Sequence, residues 1–453
     1  MISVESAPHQ EAPPRKFLWW IPLQNHVHPI QFFFFIFAVF VALACIVYLS
    51  GTQSNILTTI LHVSSNTGDI TGSLALYAEI VSLIGVVVWS MVSDRIQRRG
   101  VMACSIFLMG LSIVCYPHAK HVYPDLLLIR LVFAIGSAGT TSMMVGMMLE
   151  TAHGKGGLVS ACIGIASGLG ATFAALLLFM CPAYLTVIYK DGTLGFVYSH
   201  GIIGGITMFL GVVFYFVLPK DMYQREKVNH FKLYIPKLYR GIVAAKDPRI
   251  FLGYTTSFFA RADEIIISNF LSLWVTQYYI DIGKCQVGHS CYYALASAST
   301  LSGYSQLVAL AFTAPFGIAS EYLPKEIAVF VAGVVGACGC IPFAFQIDPT
   351  SKACLGFVIL IAAGQYGMII SGMAMVTGNK SDPKDHAAIS ACYSFIGAAG
   401  IIVVSKVGGV LFDKWMKGAP FLLLGIGHII VCVISVIVYG VRVFHYFKNK
   451  RNN

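Results

Sequence analysis

Charge is the scarcest thing in this sequence. Asp, Glu, Lys and Arg make up 11% of its 453 residues, where a soluble domain carries roughly a quarter. Too little charge exists to cover a water-facing surface, which excludes a soluble globular chain. Acid is scarcer still, 20 Asp and Glu against 30 Lys and Arg, a net charge of +10. The bases lie in short segments between apolar runs, so they do not form the basic face of a nucleic-acid-binding protein. The N-terminal MISVESAPHQEAPPRKF lacks a short apolar core with a small-residue cleavage site, and reads as a cytosolic tail rather than a signal peptide. No GxxxxGK[ST] stretch is present, which argues against direct ATP drive. His26 and His28 are the closest His pair and have no carboxylate or Cys neighbours, so no enzyme site, cofactor or metal is expected.

What is present is apolar length. The chain is 57% hydrophobic with a mean hydropathy of +0.76, and runs of about 20 apolar residues, the length that crosses a bilayer, recur throughout. Twelve spans are expected, near 29–50, 71–92, 101–117, 124–149, 158–182, 200–218, 250–279, 294–319, 326–346, 353–377, 387–411 and 419–441. The division is a cytosolic tail 1–28, a first half 29–218, a linker 219–249, a second half 250–441 and a C-terminal tail 442–453. The linker is expected to carry a surface amphipathic helix around KLYIPKLYRGIV. With both termini cytosolic, 21 Lys and Arg lie inside, 6 outside and 3 within spans, as the positive-inside rule requires. The sequon Asn379-Lys380-Ser381 is then cytosolic and unmodified. Most of the twelve cysteines sit singly in apolar runs. Cys285 and Cys291 instead share one polar outer loop, where a disulfide is expected if the compartment is oxidising.

The halves echo each other. Asp94 follows Ser90 by four residues after span two, and Glu321 follows Gly317 by four after span eight; the two acids are 227 residues apart. Two six-span halves with repeated loops are a transporter architecture, with the solute site near the midplane between them.

Over essentially its whole length the sequence resembles the major facilitator superfamily. That family's loop signature after span two is filled here by Ser90, Asp94, Arg95, Gln97, Arg98 and Arg99, with both glycines replaced and every charge kept. The resemblance implies an all-α fold in which spans two and eleven face each other, and spans one, four, seven and ten line a cavity. It also implies a cytosolic gate of Asp94, Arg95, Arg98, Arg99 and Glu321. Asp94 would be stabilised by the partial positive charge at the start of span eleven. LLLIRLVFAIGSAG resembles the Arg motif of proton-linked members through Arg130 and Gly136. GIGIASGLGA lacks the antiporter proline, with Leu169 in its place, so Gly164, Gly168 and Gly170 read as close helix packing.

Ionisable groups inside spans are costly and therefore functional candidates: Glu79, Arg130, Arg261, Asp263, Glu264 and Lys406. Glu79 lies about 22 Å above the cytosolic end of its helix, Glu264 about 21 Å, and Arg130 and Lys406 roughly 27–30 Å. Glu79 with Lys406 is the expected outer gate, and Glu79 with Arg130 the competing pair. On span seven, Ser257, Arg261, Glu264, Ser268 and Ser272 form one cavity-facing stripe, within which Arg261 and Glu264 also have the spacing of a structural ion pair. Asp263 is rotated about 200° from Arg261 and should face a neighbouring helix. Gln31 and the Phe run of span one are expected across from the charged wall, although packing is the expected role of most of those Phe. Tyr77, Tyr304, Gln306, Gln365 and Tyr366 complete the cavity candidates.

The expectation is a monomeric, multi-pass secondary transporter of a small organic solute, amphipathic or anionic. Access alternates between the halves and protons drive it, carried by Glu79, Asp263 or Glu264. Plasma membrane and endomembrane both fit. An uncoupled facilitator with structural ion pairs is the nearest alternative; a transport-like receptor or a membrane enzyme is remote.

Overall fold

The computed structural model describes residues 16–17, 21–25, 27–93, 95–151, 156–220, 230–377 and 383–452. Inside a bilayer no water is available to backbone polar groups, so an apolar segment must satisfy them within itself as a helix. Among the described residues, eleven helices are long and apolar enough to cross: spans one to six at Pro29–Ile60, Thr67–Ser93, Arg98–His118, Val122–Met148, Val159–Tyr189 and Gly192–Val217, and spans eight to twelve at Tyr292–Ile318, Lys325–Ala344, Lys352–Val376, Ala388–Lys414 and Ala419–Phe444. Span seven is a continuous helical stretch, Pro248–Ile265, Ile266–Phe270 and Leu271–Asp281, more polar than the rest. Its middle segment is a π-helical turn, a device frequent at functional sites and hinges.

Helix starts are set locally. Pro29 opens span one behind a capping box, in which His28 Nδ1 accepts from Ile30 N–H and Gln31 Oε1 accepts from His28 N–H. Asp191 caps span six through Thr193 and Leu194 N–H. Asp247, followed by Pro248, caps span seven through Arg249 N–H. Gln31 is thus spent on a cap, not on a solute.

Packing repeats with a period of six spans. Spans three and six, one and five, and two and four pack together, and so do nine and twelve, seven and eleven, and eight and ten. The halves meet through two matching contacts, span two on eleven and span five on eight. The expected linker helix is present at His230–Ala244, where the Tyr254 hydroxyl of span seven donates to Gly241 O at 2.8 Å. The described part of the N-terminal segment is packed rather than free. Strand β1 (Lys16–Phe17) pairs antiparallel with β2 (Ile21–Pro22), Leu23 and Val27 are fully buried, and Gln24 N–H donates to Thr151 O.

Candidate functional site

A cavity of about 100 Å³ lies between spans one, two, four and seven, lined among others by Ser50, Glu79, Ser82, Arg130, Phe133 and Ser137. Arg130 is 6% exposed. Its Nη2 reaches Ser50 Oγ at 3.5 Å, its guanidinium carbon lies 5.7 Å from the Phe133 ring centre, and Nε and Nη1 have no partner among the described residues. A buried guanidinium so sparsely bonded is costly, and its free donors suit an anionic group. Span seven contributes Ile265 to the lining, with Arg261 and Glu264 on the same helix nearby. Arg261 and Glu264 form the i,i+3 pair at 3.6 Å, and both interact electrostatically with Glu79 across the half-to-half gap and with Tyr366 of span ten.

The rest of the stripe closes the structure. Ser268 Oγ donates to Glu264 O within its own helix, and Ser257 Oγ to Tyr393 O of span eleven. Ser272 Oγ donates to Gly51 O at 2.7 Å and lies 3.0 Å from Ser54 Oγ, joining span seven to span one. Other cross-half bonds gather at the same outer end: Gly288 N–H to Thr58 O, Ser299 Oγ to Ala175 O, and Thr186 Oγ to Ser290 Oγ. Spans two and eleven touch backbone to backbone there, because a Cβ on Gly72 would sit 2.3 Å from Ser405 O and one on Gly409 2.3 Å from Gly68 O.

This closure corrects one expected pair. Lys406 Nζ bonds Asp69 Oδ1 at 2.5 Å and Ser73 Oγ at 2.8 Å, not Glu79. The helix of span two starts at Thr67, earlier than the apolar run suggested, which brings Asp69 into the span. Glu79 lies ten residues further along, roughly 15 Å by helical rise. Lys406 meets the acid at its own level. Asp413 adds to the closure by accepting from the backbone N–H groups of Gly68 and Asp69.

Comparison with known proteins bears on this architecture directly. The family model described as Major Facilitator Superfamily matches residues 30–381. The chain belongs to the major facilitator superfamily. The nucleoside transporter NupG has the same fold, with a TM-score of 0.68 over 90% of this chain and all of NupG, at 13% identity. Magnetosome protein MamH of Paramagnetospirillum magneticum is 30% identical over 191 residues, 42% of this chain and 43% of MamH. Magnetosome protein MamZ of Magnetospirillum gryphiswaldense is 26% identical over 196 residues, 43% of this chain and 29% of MamZ. The chain thus spans less than half the length of the curated relatives it matches. As a member of this superfamily it is a multi-pass integral membrane protein.

The superfamily's cytosolic loop is partly in view. Asp94 and the side chain of Glu321 lie outside the described residues, as does the sequon at Asn379. Arg95 is exposed. Arg98 Nη1 donates to Gly146 O at the end of span four, and Lys325 Nζ to Ala374 O at the end of span ten, 2.6 Å away. Lys325 follows Arg98 by 227 residues, the spacing of the two echoed acids, so the internal repeat is geometric as well as sequential. Arg99 stacks over Tyr215 of span six at 5.2 Å. An acid missed in the sequence, Glu326, is 2% exposed and holds Arg249 at 3.0 Å and Arg442 at 2.9 Å.

Asp263 faces away from the cavity, as its angle implied. It is fully buried with His428 Nε2 of span twelve 3.1 Å from its carboxylate, and Cys340 of span nine alongside. Histidine carries no fixed charge, so neither His428 nor His200 stands out in the sequence among the charged residues of the spans; His200 is buried among Tyr48, Ser199 and Thr52 in the first half. Gln306 and Gln365 are buried, while Tyr77 and Tyr304 are each 45% exposed.

The aromatic run serves mainly packing, as expected of most of its Phe, and does not face the charged residues of span seven as a wall. Phe32 and Phe35 are core residues, and Phe33, Phe37 and Phe40 line a separate apolar groove of about 390 Å³ with Ile165 and Leu169 of span five and with Phe17. Four successive Phe on a helix point in four directions, so one face cannot hold them all. Gly168 and Gly170 do mark close packing, against Leu310 and Phe40 O, whereas nothing lies within 4 Å of a Cβ on Gly164. Cys285 and Cys291 are disulfide-bonded.

Proposed function

We propose that this protein is a secondary active transporter that moves a small organic solute bearing an anionic group, by alternating access coupled to protons. The observation that carries the reading is Arg130, buried with two guanidinium nitrogens unpartnered in the cavity that Glu79 also lines. Arg130 supplies the anion contact, the Arg261–Glu264 pair and Tyr366 form the facing wall, and Glu79 carries the proton. Lys406 and Arg261 are each taken by another carboxylate, Asp69 and Glu264, which leaves Glu79 without a dedicated base among the described residues. The gathered outer contacts correspond to a state closed outside, with solute leaving toward the cytosol.

The same two pairs favour a second reading, an uncoupled facilitator in which those charges are structural. Uptake into proteoliposomes with and without an imposed pH gradient separates the two. On the coupled reading the wild type concentrates solute under the gradient, and Glu79→Gln equilibrates it without concentrating it. Equal steady-state uptake with and without the gradient in the wild type would leave the facilitator standing.

A further inference from the structure

Asp263, Cys340 and His428 come from three different helices and meet behind span seven, on the side opposite the cavity. Their ligating atoms, a carboxylate oxygen, a thiol sulfur and an imidazole nitrogen, lie within 4.8 Å of one another, and all three residues are fully buried. Asp263 and His428 approach to 3.1 Å, and beyond this contact neither carboxylate oxygen and neither ring nitrogen has a hydrogen-bond partner among the described residues. Buried polar atoms are rarely left so, and each one unpaired carries a desolvation cost. Space is cut for the ring as well: a Cβ on Gly336 would stand 2.2 Å from His428 Cε1.

From these observations we propose that Asp263, Cys340 and His428 bind a divalent transition-metal ion. In a tetrahedral site built on metal–nitrogen and metal–oxygen bonds of about 2.0–2.1 Å, two such ligand atoms stand roughly 3.3 Å apart, close to the spacing of Asp263 and His428. Sulfur and nitrogen on one ion stand roughly 3.6 Å apart, so the thiol, within 4.8 Å of the other ligand atoms, needs to move inward by at most about an ångström. Charge also balances. A carboxylate, a thiolate formed by loss of the Cys340 proton and a neutral imidazole together offset a dication, so no net charge is buried in the helix bundle. The mixed oxygen, sulfur and nitrogen set suits Zn2+, Fe2+ or Co2+ and is poorly matched to Mg2+ or Ca2+. Asp263 sits between Arg261 and Glu264 in the chain, so ligation fixes the rotation of span seven and thereby where its cavity stripe points. The site lies apart from the cavity, and its existence does not depend on the transport reading.

The test uses full-length protein expressed with supplementary Co2+ or Zn2+, purified in detergent and washed without chelator. Metal is counted by mass spectrometry, and Co2+ is read by its thiolate charge-transfer absorption. One metal per chain is expected in the wild type and in Cys338→Ser. Cys340→Ser and His428→Gln should lose the absorption and bind at least about tenfold more weakly. Should Cys340→Ser not be monodisperse, Cys340→Ala, which keeps an apolar side chain there, reads the same loss. A wild type that holds no stoichiometric metal overturns the proposal. So does a charge-transfer band that survives in the Cys340 variants.

Discussion

Asp413, at the end of span eleven, accepts from the backbone N–H of Asp69 at 2.7 Å, at the start of span two, and its second oxygen takes Gly68 N–H at 3.0 Å. One half of the protein therefore caps a helix of the other. Unpaired N–H groups at a helix start carry partial positive charge, so this carboxylate stabilises the closed outer end specifically.

Replacing it should bias the conformational equilibrium. N-cap removal costs about 0.5–2 kcal/mol; on the proposed alternating-access cycle, in which this contact breaks when the outer end opens, Asp413→Ala should raise the outward-open share by roughly 2- to 30-fold. Alkylation of Ser54→Cys by an impermeant thiol reagent reads this, because Ser54 is buried under the closure. An unchanged rate would remove Asp413 from the gate.

The Lys406–Asp69 pair is half-exposed on both sides, so it contributes under about 1 kcal/mol and its loss should shift the same alkylation by no more than about fivefold. Reversal identifies the partner. Asp69→Lys with Lys406→Asp should recover transport lost in either single variant, whereas Glu79→Lys with Lys406→Glu should not. Rescue by the second combination would restore Glu79 as the gate acid.

The architecture was legible because hydropathy and the positive-inside rule act along the chain, one span at a time. The Asp94 and Glu321 echo likewise carried the repeat that Arg98 and Lys325 display in space. Partners across helices were less legible. Asp69 and Asp413 lie just outside the apolar runs that defined spans two and eleven, so a window tuned to hydrophobicity trimmed away both halves of the outer closure. The device imagined for Asp94 at the start of span eleven, a carboxylate on a helix N-terminus, is the one Asp413 uses at the start of span two. Asp263 was assigned the correct direction from its helical angle, but nothing in linear spacing joins it to Cys340 and His428.

Arg130 should decide which solutes bind. Charge-assisted hydrogen bonds contribute about 1.5–3 kcal/mol, so Arg130→Gln should weaken carboxylate- or phosphate-bearing solutes by roughly 10- to 150-fold and leave neutral ones unaffected. Arg130→Lys should recover part of the loss, since the point charge remains but the planar fork does not. Thermal-shift screening of solute classes at two pH values measures this. Equal stabilisation of wild type and Arg130→Gln by anionic solutes would exclude the contact.

The Cys285–Cys291 bond closes a short loop whose Gly288 N–H and His289 O bond to Thr58 and Thr59 of span one. Loop-closure entropy for so few residues gives about 2 kcal/mol. Reduction or Cys285→Ser should lower the melting temperature by a few degrees and increase outer alkylation of Ser54→Cys, because the loop overlies the closed end. A melting temperature insensitive to reductant would show that the loop holds without its bond.

Glu326 does for the cytosolic end of the second half what Asp413 does outside, but within one half. It is buried, while its partners Arg249 and Arg442 keep 42% and 46% of their side chains exposed. Removing the carboxylate charge leaves two arginines that water can still solvate, so the loss is that of the charged hydrogen bonds, about 1.5–3 kcal/mol. Glu326→Gln should therefore destabilise thermal unfolding by that amount without altering solute affinity, since the clamp joins the ends of spans seven, nine and twelve and does not line the cavity. A change in affinity at unchanged stability would instead make Glu326 part of the conformational cycle.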